Sequence, residues 1–242
     1  MAQAILLTGG VSHPFGQATP VLCSILESAG FSTRSSESVG EVLGWLQQDA
    51  AALLVVYALR WSMTQHERFE TDRARWAVDL TAAEQGAIAS HVERGAGLLG
   101  VHTATICFDT WPQWRDVLGG AWVWGRSSHP VWGPVETRLS QSHVLTRGLQ
   151  PWSSSDEVYS DLDLAPGIDV AMWARAVPAT EPPATPLAEQ ASVWTHRYGH
   201  GRAVYSGLGH DAEALRHPTH QRLLKRAALW AIGQPDQLVE SV

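Results

Sequence analysis

The amino-acid sequence predicts an α/β fold with a mainly parallel central sheet and extra edge strands in its C-terminal half. In the first hundred residues, short apolar runs alternate with stretches of helical periodicity. The run AALLVVY at Ala51–Tyr57 is uninterrupted, as is typical of a central parallel strand that is buried on both faces. The chain has 242 residues, of which 45% are hydrophobic, and we expect one domain over residues 1–242.

Repeated strand and helix units account for the first half of the chain. The predicted strands are Gln3–Thr8, Phe31–Ser35, Ala51–Tyr57 and Leu98–Val101, and the predicted helices are Ala18–Ala29, Val39–Gln47 and Ala82–Arg94. Thr81 and Glu84 form a capping-box pattern at the start of the last of these helices. The polar segment Ala58–Leu80 is too long for an ordinary connection, and it predicts either a lid or a peripheral helix.

The second half shows short strand-like runs that are separated by turn residues. They are Pro134–Leu139, Val158–Leu162, Val170–Ala174, Ala191–Arg197 and Arg202–Ser206. The proline-rich stretch Pro178–Pro186 predicts a surface loop, and Gln221–Ile232 predicts a closing amphipathic helix. We therefore expect antiparallel or edge strands to extend the parallel sheet.

Charge and composition exclude several classes of function. The net charge is −7 and the chain contains no basic cluster, so nucleic acid is not expected as a partner. The first ten residues offer neither a signal peptide nor a membrane span, which predicts a cytoplasmic protein without membrane contact. The two cysteines, Cys23 and Cys107, cannot form a thiolate cage, so any metal would use histidine and carboxylate ligands.

His102 occupies the most informative position, because the apolar strand Leu98–Val101 runs directly into a sharp turn with small residues around it. This is the layout of a nucleophile elbow, with histidine where a serine or cysteine would stand. A following helix N-terminus would disfavour the imidazolium, so we expect a neutral imidazole that acts as a base, an acceptor or a metal ligand. The alternative is a histidine that only bonds a loop carbonyl.

Three further histidines lie on loops that are typical of a functional site. His13 follows the first strand, His210 and Asp211 follow the strand Arg202–Ser206, and His129 lies in a tryptophan-rich stretch. Because the carboxyl ends of parallel strands share one edge, we expect these side chains to converge. The candidate metal ligands are His102, His129 and His210, with a divalent ion such as Zn²⁺ as the candidate cofactor. The pairs formed by His196 with His200 and by His217 with His220 are interpreted as surface residues.

Tryptophan is unusually frequent, with 12 residues against 4 tyrosines and 4 phenylalanines. Broad indole faces can stack on the C–H faces of sugar rings, although any single tryptophan can equally fill a core. Trp61 and Trp124 are the candidates for substrate contact, together with His13, Tyr159 and Asp211.

The motif DEVY at residues 156–159 supplies a further candidate group. Strand alternation would place Glu157 and Tyr159 on one face and Asp156 on the other. A carboxylate beside a phenol suits recognition of sugar hydroxyl groups or proton transfer, and an exposed edge-strand pair is the alternative. With His102 and His210, Glu157 completes the set of candidate catalytic residues.

Several motifs in sequence order resemble the ThuA-like family, which is named for trehalose utilisation. They are GG with HPF at 9–15, ERGAGLLGVHTA at 93–104, VLGG at 117–120, HP at 129–130, DEVY, RAVYSGLGHD at 202–211 directly after Gly201, and LWAIG at 229–233. This resemblance runs nearly from end to end. It implies a flavodoxin-like three-layer sandwich like that of class I glutamine amidotransferases, and a role in the metabolism of sugars or glycosides, including keto-disaccharides.

The sequence departs from the amidotransferases at the elbow, where those enzymes have cysteine and this chain has His102. Cys107 lies five positions further on and cannot project from the same point, so we expect no cysteine-dependent glutaminase activity. We expect a small sugar or glycoside as the partner, bound at the carboxyl edge of the sheet. The alternatives are a non-catalytic carbohydrate or metabolite sensor and a subunit of a sugar-oxidising complex. A homo-oligomer is left open.

Overall fold

A computed structural model describes residues 1–48, 51–177 and 187–242 of the chain. Within these residues, nine strands form one sheet and two short strands form a second. The strands are β1 Ala2–Gly9, β2 Phe31–Ser36, β3 Leu53–Ala58, β4 Gly97–Val101, β5 Gly120–Ala121, β6 Gly133–Leu139, β7 Ser153–Asp156, β8 Asp163–Leu164, β9 Asp169–Ala176, β10 Gln190–Tyr198 and β11 Gly201–Ser206.

The described helices surround this sheet. They are α1 Phe15–Ser28, α2 Val39–Gln48, α3 Glu70–Trp76, α4 Ala82–Glu93, α5 Trp114–Leu118, α6 Ala212–Arg216, α7 Pro218–Ala231 and α8 Asp236–Glu240. Among the helices of the described residues, none is both long and apolar enough to cross a membrane. Thr81 and Glu84 form both bonds of the predicted capping box on α4. Helix α7 begins three residues earlier than predicted, because the side chain of His217 accepts the Thr219 N–H and Pro218 occupies the first turn.

The strand order of the large sheet, over the described residues, is β2-β1-β3-β4-β11-β10-β9-β6-β7. The first five strands are parallel, and the remaining four continue the sheet in antiparallel pairs. The parallel part has the strand order of the flavodoxin-like fold. The predicted α/β class and the antiparallel extension are confirmed.

Both faces of the parallel strands are covered by helices. Side chains of α1 and α7 pack with Leu6, Val55 and Leu99 on one face, and those of α2 and α4 pack with Ile5 and Leu54 on the other. All six residues of β3 are buried. This double cover explains why the sequence of β3 is continuously apolar.

Two predictions for the second half need comment. Val158–Leu162 is not a strand: β7 ends at Asp156, opposite Gly133 of β6, and within 158–162 only Ser160 forms an isolated bridge, to Ser128. The strand prediction was wrong there because the chain turns away from β6 into the loops at the sheet edge. The predicted loop 178–186 lies outside the described residues.

Gly201, the first residue of β11, packs directly against the end of α4. A Cβ atom at Gly201 would contact the Val92 carbonyl oxygen and lie 2.7 Å from that of Ala96. We expect Gly201→Ala to lower the free energy of unfolding by about 3 kcal/mol, because backbone atoms cannot yield as a flexible side chain can. Urea denaturation measures the change. Gly44→Ala in α2 is the control, since no atom lies within 4 Å of its added Cβ, and a Gly201→Ala protein as stable as this control would contradict the packing argument.

Candidate functional site

Three of the predicted histidines converge at the carboxyl edge of the parallel sheet. His13 follows β1, His102 follows β4 and His210 follows β11. The ring centroids are 5.0 Å apart for His13 and His102, 4.5 Å for His13 and His210, and 5.6 Å for His102 and His210. The convergence follows from the topology, because these strands lie in one parallel block.

His102 stands on a strained turn, as the elbow pattern predicts. Its φ angle is +49°, in a region that non-glycine residues rarely adopt, and its carbonyl oxygen accepts a hydrogen bond from the Tyr205 hydroxyl at 2.8 Å. His102–Thr105 forms a 3₁₀ turn in place of the expected α-helix. Burial, not a helix dipole, lowers the pKa of His102 to about 4.

The Nε2 atoms of His13 and His102 face each other at 3.1 Å. Nδ1 of His102 lies 2.8 Å from the Gly207 carbonyl oxygen, and Nδ1 of His13 lies 3.3 Å from that of Val11. Carbonyl oxygens only accept hydrogen bonds, so each Nδ1 carries a proton, and a ring without a second proton presents a lone pair at Nε2. Two such lone pairs at this distance repel unless a cation lies between them.

Glu157 and His210 complete a group of four ligand atoms. Oε2 of Glu157 lies 3.4 Å from Nε2 of His102, 3.6 Å from Nε2 of His13 and 3.5 Å from Nδ1 of His210. All four atoms lie within 4.8 Å of one another. Ligands at Zn–N and Zn–O distances around a tetrahedral ion are about 3.4 Å apart, close to these separations.

Within the described part of the chain, two of these buried ligand atoms have no hydrogen-bond partner. Oε2 of Glu157 and Nδ1 of His210 form no hydrogen bond there and are shielded from solvent. An orphaned carboxylate oxygen is costly to bury, whereas a bound ion would satisfy it together with the three imidazole nitrogens. The donor set therefore fits a divalent metal ion.

Charge interactions within the group are strong. Burial alone would raise the pKa of Glu157, but contacts with His102, His13 and His210 outweigh it and hold that pKa well below its ordinary value. Burial tends to lower the pKa of His210, and Glu157 reverses this effect, so that the pKa of His210 is raised. Glu157 is therefore the anionic centre of the group.

His129, a candidate ligand from its sequence position, lies outside the group of four. Its Nδ1 is 3.7 Å from Oε1 of Glu157, the carboxylate oxygen opposite the one that faces the other histidines. The same Nδ1 lies 2.9 Å from the Pro130 carbonyl oxygen. His13 and Glu157, which the sequence pattern indicated for substrate binding and catalysis, belong to the group of four that could hold a metal.

Asp156 holds the His210 loop in place, a role that its sequence position did not reveal. Its fully buried carboxylate accepts the backbone N–H groups of Gly209 at 2.7 Å, Glu157 at 2.8 Å and His210 at 3.2 Å. The Tyr57 hydroxyl donates to the Gly209 carbonyl oxygen at 2.8 Å. Burial raises the pKa of Asp156, and the N–H donors oppose that rise.

The ligand group opens into an aromatic cavity of 290 Å³. Trp61 is a buried part of its wall and Trp124 is a partly exposed part, and the Tyr159 hydroxyl lies 3.3 Å from Nε2 of His102. The lining residues are Ser12, His13, Leu59, Trp61, Arg68, Phe69, Ile106, Trp122, Trp124, His129, Glu157 and Tyr159. The segment Ala58–Leu80 thus supplies both a cavity wall and the peripheral helix α3.

Other predicted residues have different roles. Asp211 caps helix α6 by accepting the Ala214 N–H at 2.9 Å, and it lines a separate cavity. Not every tryptophan can contact a sugar, since Trp111 and Trp114 are buried in the hydrophobic core. His220 is not on the surface: it is buried, with Nε2 3.2 Å from the Ser206 hydroxyl and Nδ1 2.9 Å from the Ala214 carbonyl oxygen.

Cys107 is buried beside the elbow and is not activated. Its thiol donates to the Ala58 carbonyl oxygen at 3.0 Å, and burial raises its pKa to about 12. We expect Cys107→Ala to bind zinc as the wild type does, and we expect iodoacetamide to cause no loss of zinc binding. Mass spectrometry after alkylation, with zinc titration in parallel, measures both. Rapid modification of Cys107 with loss of the metal would contradict this assignment.

Comparisons with known proteins agree with this fold. A ThuA-like protein of Parabacteroides merdae is 20% identical with a TM-score of 0.72, over 96% of this chain and 90% of that one. A ThuA-like protein of Bacteroides uniformis is 19% identical with a TM-score of 0.66, over 96% and 91%. The comparison with curated proteins found no match.

A family model supplies the stronger evidence, because likenesses at these identities show only the fold. The ThuA model, described as trehalose utilisation, matches residues 7–231. That range contains β4, β11 and all four ligand residues. The chain therefore belongs to the ThuA family.

Proposed function

We propose that this chain is a divalent-metal-dependent enzyme that acts on a sugar or glycoside, with a keto-disaccharide as the leading substrate. The observation that carries the proposal is the pair of opposed Nε2 atoms of His13 and His102 beside the unpartnered oxygen of Glu157. His13 and Glu157 line a cavity whose walls include several aromatic side chains. In this proposal His102, His210, His13 and Glu157 hold the metal.

The donor set favours Zn²⁺ or a related first-row ion. Imidazole nitrogens bind Zn²⁺ and related first-row ions in preference to Mg²⁺ or Ca²⁺, and three of the four donors are imidazole nitrogens. When bound, such an ion would supply Lewis-acid chemistry to a carbonyl or hydroxyl oxygen of the sugar, which requires a coordination position beyond the four protein ligands.

Two further side chains are suited to handle protons at the bound sugar. The Tyr159 phenol remains protonated near neutral pH and can donate a hydrogen bond to a sugar oxygen once the metal occupies Nε2 of His102. His129 lines the same cavity, and the contact of its Nδ1 with the Pro130 carbonyl leaves Nε2 to accept a proton. We assign Tyr159 the role of donor and His129 that of base.

The cavity walls favour a carbohydrate over an amino acid. Indole and phenyl faces pack against the C–H face of a pyranose ring, while the metal and Tyr159 address its oxygens. Glutamine hydrolysis in this fold would need an accessible thiolate, and Cys107 is buried and protonated. We therefore propose that the chain has no cysteine-dependent glutaminase activity.

Turnover with and without metal tests this proposal. The chelated and zinc-loaded proteins are incubated with trehalose, its keto derivative and a panel of glycosides, and products are separated by chromatography. We expect a product with the zinc-loaded protein and no product with the chelated protein. Saturable sugar binding without any product would instead support the non-catalytic sensor. Hydrolysis of glutamine would contradict the expected absence of glutaminase activity.

A further inference from the structure

The carboxylate of Asp109 joins two segments that each contribute a tryptophan to the cavity wall. Oδ1 accepts the backbone N–H of Ser62 at 2.7 Å. Oδ2 accepts the Ser62 hydroxyl at 2.8 Å, the Gln65 amide at 2.6 Å and the indole N–H of Trp124 at 3.1 Å. One side chain thus connects the segment after β3 with the segment after β5.

The same network fixes the two tryptophans relative to each other. The indole N–H of Trp61 donates to Oε1 of Gln65 at 2.9 Å. The rings of Trp61 and Trp124 are stacked, with centroids 6.1 Å apart and an angle of 29° between the planes. Trp61 is 2% exposed and Trp124 is 37% exposed, so Trp61 is the support and Trp124 the accessible face.

Because the network uses both indole N–H groups, neither is left to bind a ligand. What Trp124 offers is therefore an apolar ring face of fixed orientation. His13 and Glu157, two of the four candidate metal ligands, line the same cavity as Trp124, and their side chains are far less exposed than the Trp124 side chain. An elongated ligand could contact both ends at once.

We propose that Trp124 forms a second sugar subsite, which binds the outer ring of a disaccharide while the inner ring lies at the metal, and that Asp109 is its positioning residue. This inference rests on the proposed function and adds to it the residue that binds the outer ring and the residue that positions it. Because the ring face is already held in one orientation, less conformational entropy is lost when the ligand binds. Removing the carboxylate frees Trp124 without touching the metal ligands.

Asp109→Asn tests the subsite, with Asp79→Asn as a matched control. Asp79 accepts the Thr110 hydroxyl at 2.7 Å, so the control removes a carboxylate that holds the residue next to Asp109. Trehalose is the disaccharide probe and methyl α-glucoside is the single-ring probe. Calorimetry on zinc-loaded protein gives both dissociation constants, and NMR of the indole N–H resonances reports on Trp124.

We expect Asp109→Asn to shift the Trp124 indole resonance and to weaken trehalose binding about tenfold, or about 1.4 kcal/mol. Methyl α-glucoside and zinc should bind as in the wild type, and Asp79→Asn should match the wild type throughout. Equal losses for both sugars, or no loss for trehalose, would overturn the subsite alone. A wild-type protein that binds neither sugar would overturn the proposed function as well.

Discussion

Replacing His102 with alanine is expected to abolish zinc binding and turnover while the protein stays folded. Nε2 of His102 lies within 3.6 Å of the ligand atoms of His13 and Glu157, so its loss opens one side of the group. Changes at residues that only support a ligand weaken metal binding about 10–100-fold, and we expect the loss of a ligand to exceed about 100-fold. Elemental analysis after zinc loading, together with the turnover assay, measures the effect.

A stability measurement and a control variant distinguish the loss of a metal ligand from a general loss of structure. Urea denaturation should show a loss of about 1–2 kcal/mol, because the variant leaves the Gly207 carbonyl oxygen without its donor. His129→Ala is the control: it should retain zinc, since His129 lies outside the four-residue group, but it should lose turnover if it is the base. A His102→Ala protein that still holds zinc tightly, or a His129→Ala protein that loses it, would contradict the ligand assignment.

Asp156→Asn is expected to weaken zinc binding about 10–100-fold and to lower the free energy of unfolding by about 3 kcal/mol. The carboxylate accepts N–H groups from Gly209, His210 and Glu157, whereas an amide has one acceptor oxygen and places an NH₂ group against a donor. The loop that carries His210 then loses its fixed position. Zinc titration against a competing chelator and urea denaturation measure the two effects.

The matched control for Asp156 is Asp211→Asn. Asp211 lies at the end of the same loop, but its carboxylate caps α6. Asparagine is also a good N-cap residue, so this variant should be close to the wild type in stability and in zinc affinity. If Asp156→Asn behaved like this control, the positioning role of Asp156 would be wrong.

The fold could be predicted because its signals are local. The continuous apolar run of β3, the capping box at Thr81 and the alternation of strands with helices each reflect the environment of one segment. The false strand at 158–162 shows the limit of such signals. Its first residues, Val158 and Tyr159, suit a strand, but they are buried in a loop packed around the site, and a short sequence pattern does not distinguish the two.

The candidate site was predictable where topology determines it. His13, His102 and His210 follow parallel strands, and parallel strands bring their ends together. The connections made by Asp109 and Asp156 depend on residues far apart in sequence, such as Asp156 with Gly209. No spacing rule indicates such pairs, so these positioning residues emerge only from the three-dimensional structure.

Anomalous diffraction at the zinc edge, from crystals grown with zinc, tests the metal assignment most directly. We expect one strong peak about 2.0–2.2 Å from Nε2 of His13, Nε2 of His102, Nδ1 of His210 and an oxygen of Glu157. Two results would contradict the assignment. One is the absence of a peak among these four atoms in a crystal whose other zinc sites are fully occupied. The other is a peak that is bound by His129 in place of His13.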